Sequence, residues 1–144
     1  MPAYVLDTSV VIQWFHRLNE RHVAKAKKVW EDLQSGKITV ILPDFLLIEL
    51  LNAFIKGKYS SIGASNLALA ALYEMPINIV EITLPVLQIT AALMKQYDLT
   101  AYDACFLALA EQEGCQLVSD DQKAHGRITN GRVIMLEDYL PEDA

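Results

Sequence analysis

Asp7, Glu49, Asp103 and Asp121 are carboxylates set singly into apolar sequence, each where a strand is predicted to end or a helix to turn inward. Acids in such places can hold a metal ion. Glu49 is the most telling, because residues 45–55 surround it with eight large apolar side chains and no helix cap accounts for an acid there. A helix apolar on nearly all sides is expected to be buried, and a buried carboxylate without a cation is strongly unfavourable. Two carboxylates about 5 Å apart repel by roughly 3 kcal/mol at an effective dielectric near 20. If the four meet, they require a shared cation. Oxygen-only ligands favour magnesium or manganese over zinc, and a hard ion so held suits hydrolysis of a phosphodiester.

Each acid also has a purely structural reading. Asp7 can cap a helix, Asp103 occupies the third position of a capping box opened by Thr100, and Asp121 follows Asp120 in a polar turn. Asn52, one helical turn from Glu49 on the same face, can orient Glu49 or a bound water. Ser9 and Ser119 can support the acids from behind as hydrogen-bond donors. His16, His22 and His125 lack metal-ligand spacing and read as surface or packing residues.

The elements that would position these residues alternate. Apolar or β-branched strands are expected at 4–6, 37–42, 78–82, 115–119 and 133–136. Helices are expected from Thr8 onward along the stripe Val10, Val11, Trp14, Phe15 and Leu18, then over 20–34, 60–74, 84–97 and 104–113. A further helix, carrying Glu49, is opened by Pro43 and closed by Gly57. Thr83 and Thr100 are the expected N-caps and Gly114 the stop. Such alternation implies right-handed crossovers and an α/β fold with a largely parallel sheet covered on both faces. Ligands gather beyond the carboxyl ends of such strands, where Asp7 and Asp121 fall.

With 144 residues, 53% of them hydrophobic, the chain can fill one core, so residues 1–144 are read as one domain. Glu49 and Asn52 interrupt the best apolar run, which excludes a membrane span of about 18 residues. The start has no basic leader and places Asp7 in the would-be apolar region, which argues against export. Cys105 and Cys115 form neither a metal motif nor a disulfide framework, as expected of reduced thiols in the cytoplasm.

A net charge of −6 argues against a general nucleic-acid coat. Yet residues 17–58 carry eight basic and five acidic side chains, a net +3, and such a face can draw in a polyanion. Lys56 and Lys58, just after the Glu49 helix, and Arg127, soon after Asp121, can bind flanking phosphates. The mean hydropathy of +0.22 is high for a monomer and points to apolar surface buried against a second copy or a partner.

Four segments together resemble the PIN domain, the family that includes VapC-type ribonuclease toxins: Leu6-Asp7-Thr8-Ser9, Glu49-Leu50-Leu51-Asn52, Ala101-Tyr102-Asp103-Ala104 and Leu117-Val118-Ser119-Asp120-Asp121. Their order and spacing agree with that family over nearly the whole chain. The resemblance implies a three-layer α/β/α sandwich in which Asp7, Glu49, Asp103 and Asp121 coordinate one or two Mg2+ or Mn2+ ions, with Ser9, Asn52 and Ser119 in support. At the fourth acid the family pattern is Thr or Ser, any residue, then Asp, which selects Asp121 over Asp120. It further implies a homodimer that cuts single-stranded or loop RNA to a 5′-phosphate and a 3′-hydroxyl, silenced by a small antitoxin across the cleft.

The expected activity is therefore metal-dependent endoribonuclease. The alternative is a non-catalytic metal-binding or phosphate-accepting signalling domain. A receiver-like domain needs an acid pair after its first strand, and Thr8 follows Asp7. An Asp-x-Asp phosphatase fails at Ser9.

Overall fold

The computed structural model describes residues 1–15, 22–57 and 61–140. Its central sheet is built from short apolar strands: β1 (Ala3–Leu6), β2 (Thr39–Pro43), β3 (Ile77–Val80), β4 (Gln116–Ser119) and β5 (Val133–Met135). All pair in parallel in the order β3-β2-β1-β4-β5. The inner strands read as unbroken apolar runs because both faces are covered; Val5, which faces Ile41 on one side and Leu117 on the other, is fully buried.

Seven helices connect the strands among the described residues: α1 (Thr8–Val11), α2 (Val23–Gln34), α3 (Phe45–Lys56), α4 (Ile62–Glu74), α5 (Leu84–Tyr97), α6 (Ala101–Glu113) and α7 (Gln122–His125). A 3-10 turn at Ile12–Trp14 follows α1. Contacts chain α2, that turn, α1, α3 and α4 into one layer, while α5 packs on α6 in the other. Right-handed crossovers demand this split when the chain winds outward through β2 and β3 and then returns to β4. The result is the expected three-layer α/β/α sandwich. Among the described residues no helix is long and apolar enough to cross a membrane. Cys105 and Cys115 are free thiols, both pushed up in pKa by burial.

The caps follow the sequence. Thr83 Oγ1 accepts from the Val86 amide and Thr100 Oγ1 from that of Asp103. Gly114 ends α6 at φ 66°, a left-handed conformation that a side chain would strain. Three expectations change. Pro43 closes β2, paired with Val80, and the helix starts only at Phe45; with no N–H to give, proline suits a strand's end as well as a helix's first turn.

The second change concerns burial. Helix α3 is not buried on all sides: Leu46, Leu50 and Phe54 form its inner stripe, whereas Ile48 is 68% exposed and Leu51 and Ile55 also face outward. The helix apolar all round is α6, in which every residue from Ala104 to Ala110 is buried. Its three alanines in that stretch let α5 and the sheet approach closely. Third, the starts expected for the helices at 20–34 and 60–74, together with His16, Leu18 and Lys58, lie outside the described residues.

Leu50→Ala is expected to cost about 3 kcal/mol, and Ile48→Ala, two residues away on the outer face, less than about 0.5 kcal/mol. Urea unfolding midpoints measure both, and equal losses would return α3 to the core.

Candidate metal centre

Chain winding reverses between β1 and β4, so both strands deliver their ends to one crevice. The Asp7 amide extends the ladder by donating to the Val118 carbonyl at 3.0 Å. Asp7 then caps α1, its Oδ2 accepting the Ser9 amide at 3.0 Å, with only 5% of the residue exposed. The structural and functional readings of Asp7 are thus not exclusive. At Asp103 the capping box is half made: Thr100 serves the Asp103 amide, but among the described residues no hydrogen bond returns from the Thr100 amide to the Asp103 carboxylate. That carboxylate stays available, in the first turn of α6 where the helix dipole favours negative charge.

Ligand atoms of Asp7, Asp103 and His125 lie within 4.8 Å of one another. His125 is fully buried, with Nε2 3.0 Å from the Asp103 carbonyl and Nδ1 2.7 Å from Ser119 Oγ. A carbonyl only accepts, so Nε2 carries a proton, while Nδ1 shares its hydrogen bond with the Ser119 hydroxyl, a group that can both give and accept one. Ser119 Oγ in turn accepts the Asp121 amide at 3.1 Å. With both nitrogens engaged, His125 pins the end of β4 to the first turn of α6. The oxygens of Asp7 and Asp103 remain as ligands.

Glu49 and Asp121 stand beside this group rather than in it. Glu49 Oε1 accepts the Thr8 hydroxyl at 2.7 Å, and the charges of Asp7 and Asp103 both reach it. Asp121 Oδ1 caps α7 by accepting the Ala124 amide at 3.0 Å. It also lines a cavity of about 410 Å³ with Asp103. Asp120 turns elsewhere: its carboxylate accepts Gln13 Nε2 at 2.8 Å and meets His22 Nδ1 at 2.6 Å, while its amide donates to Ser9 Oγ at 2.9 Å. Ser9 therefore ties the 120–121 loop to Asp7. Asn52 is exposed and makes no hydrogen bond with Glu49 among the described residues.

Burial pushes the Asp7 carboxyl up, the His125 ring and the Ser9 hydrogen bonds oppose that, and Asp103 reinforces it. Burial likewise raises Glu49, against the Thr8 hydrogen bond. Two ionised carboxylates at this spacing repel by about 3 kcal/mol at an effective dielectric near 20. Mutually repelling oxygens, those of Asp7 buried and those of Glu49 and Asp103 partly so, fit a hard divalent cation. Two supporting residues escape a reading by spacing: His125, whose partner is a backbone carbonyl, and Thr8, whose hydroxyl leaves its own helix for Glu49.

The family model described as PIN domain matches residues 4–128. Curated protein sequences gave no match. Among solved structures, a chain of a toxin-antitoxin complex from Klebsiella pneumoniae is similar with a TM-score of 0.70 at 21% identity, over 94% of this chain and 99% of the other. A chain of VapBC2 from Rickettsia felis, bound to a DNA fragment from its promoter, gives 0.70 at 19% identity, over 92% and 98%. VapC20 from Mycobacterium tuberculosis, a sarcin-ricin loop cleaving toxin, gives 0.67 at 16% identity, over 85% and 93%. At these identities the likeness is one of fold.

Thr8→Val keeps the volume and removes the donor to Glu49, and is expected to weaken manganese binding about ten- to a hundredfold by calorimetry. Unchanged affinity would remove Thr8 from the site. The metal-free protein should also respond to pH in a set direction. Asp7 and Glu49 bind protons more tightly folded than unfolded. Their contribution to stability is thus full below about pH 4 and is lost as pH rises through the raised values. Urea midpoints of chelated protein should show this component, diminished in Asp7→Asn and offset by added manganese at neutral pH; identical pH profiles for wild type and Asp7→Asn would contradict it.

Proposed function

This chain belongs to the PIN domain family, and from that premise we propose that it is a metal-dependent endoribonuclease, the toxin of a toxin-antitoxin pair. The observation that carries this reading is the meeting of Asp7 and Asp103, 96 positions apart in sequence, within 4.8 Å at the carboxyl edge of the sheet. Asp7, Asp103 and Asp121 hold magnesium or manganese, and Glu49 either completes the ligand set or orients the attacking water. A bound ion supplies stabilisation of charge on the phosphate and a lowered pKa for water.

The chain's own groups do the rest. Glu49, fixed by Thr8 and raised in pKa by burial, would take a proton from the attacking water as the water oxygen bonds to phosphorus, while the bond to the 3′ oxygen breaks and that oxygen takes a proton from solvent. Raised carboxylates serve proton transfer near neutral pH. The Ser119–His125 link keeps Asp103 and Asp121 in fixed relation. A phosphate-accepting signalling role fits less well, because the residue after Asp7 is Thr8, whose hydroxyl is committed to Glu49.

Similarity to toxin-antitoxin complexes supports an inhibitory partner that closes the cleft. Similarity to a toxin that cleaves the sarcin-ricin loop supports RNA as substrate. The outward stripe of α3, with Ile48, Leu51 and Ile55 exposed, supports a homodimer, since a contiguous apolar face calls for a cover.

Asp7→Asn and Asp103→Asn are each expected to abolish manganese-dependent cleavage of a labelled single-stranded RNA while leaving the circular dichroism spectrum unchanged. Wild-type cleavage that survives thorough chelation would overturn the proposal.

A further inference from the structure

An acidic centre that cuts a polyanion faces a charge problem beyond the scissile phosphate. The ion neutralises one phosphate, but its neighbours along the strand meet Asp103 and Asp121 unless cations stand beside them. Such cations occur on one side. The cavity of about 410 Å³ that holds Asp103 and Asp121 is also walled by Lys123 and Arg127. That volume lies within the range of about 300–1,000 Å³ that accommodates small ligands, enough for a nucleotide unit.

Neither cation is neutralised. Lys123 is exposed and forms no ion pair among the described residues. Arg127 bonds only to uncharged groups, the carbonyls of Tyr97 and Asp98 at the end of α5. Three other cations are spent within the protein, Lys27 and Lys28 on Glu31 and Arg132 on Glu111, whereas Lys37, Lys56 and Lys95, unpaired among the described residues, do not line this cavity. Anchorage of one guanidinium nitrogen on α5 also reduces the freedom Arg127 loses on binding, and leaves the other donors of its fork for phosphate oxygens. Both cations belong to the short segment that starts at Asp121, so their distance from the acids is held by α7 and its His125 pin.

We propose that Lys123 and Arg127 form a phosphate subsite that binds the phosphodiester adjacent to the scissile one in single-stranded RNA. The strand therefore leaves the acidic centre over α7 and the end of α5. This assignment rests on the nuclease reading above for the identity of the strand, while the cavity and its free charges stand independently.

The test compares wild type with Lys123→Gln, Arg127→Gln and the double variant. Arg132→Gln serves as a charge-matched control, just ahead of β5 at the amino edge of the parallel sheet and outside the basic stretch 17–58. Binding of a labelled ten-nucleotide single-stranded RNA is read by anisotropy, with calcium as the divalent ion, over about 50–200 mM salt; cleavage is read with manganese. Each subsite variant is expected to weaken binding about tenfold at low salt, and to reduce the slope of log affinity against log salt by about 0.7 per cation removed. KM should rise by a similar factor with kcat within about twofold, because uniform binding is lost and the reacting centre is not. Variants that bind and cut like wild type, or an Arg132→Gln variant that loses as much, overturn the subsite. A wild type that binds with the expected dependence but leaves the strand intact supports the subsite and overturns the nuclease reading instead.

Discussion

Carboxylates brought together from distant parts of the chain define this molecule. Asp7 sits almost fully buried at the end of β1, Asp103 opens α6 within ligand distance of it, and Glu49 reaches both electrostatically from α3. Nothing in their mutual interaction favours that arrangement. It persists because each carboxylate is placed by something stronger: β1 by its ladders to β2 and β4, and α6 by a stretch buried on every side. The hydrogen bonds of Ser9, Thr8, Ser119 and His125 set the orientation of the site. Apolar burial thus supplies the stability that the site consumes.

The sequence and the fold speak to each other most clearly where one local rule decides the outcome. Thr83, Thr100 and Gly114 are caps because hydroxyls and glycine satisfy helix ends in one way. The alternating strands and helices imply the parallel sheet, and with it the edge where the acids gather. What sequence does not convey is which side of an apolar helix faces the core. Residues 45–55 carry more large apolar side chains than 104–110, yet α3 lies at the surface and α6 within, because the small side chains of α6 let neighbours close over it. The site shows the same division: the acids announce themselves by type and setting, whereas His125 and Thr8 matter through partners fixed only by the fold.

Asp120 and Asp121 show how neighbouring identical residues acquire separate work. The turn after β4 sends the first into a clasp with Gln13 and His22 and the second toward the cavity with Asp103. Ser9 ties this turn to Asp7, accepting the Asp120 amide while its own amide serves Asp7. An overall acidic chain is therefore a poor guide to its electrostatics. Asp7, Glu49, Asp103 and Asp121 lie about one crevice, and Lys123, with no ion pair among the described residues, stands at its flank beside the carbonyl-anchored Arg127.

The sheet order also bears on when this centre comes into being. β1 lies beside β4, with Val5 paired to Leu117, so the first strand waits for a partner made more than a hundred residues later. Pairings of such sequence separation form slowly, after local structure. During synthesis the amino-terminal acid has no counterpart until α6 has emerged, and no pinned loop until β4 and α7 follow. A growing chain is in this way kept from assembling the centre until β4 and α7 have left the ribosome.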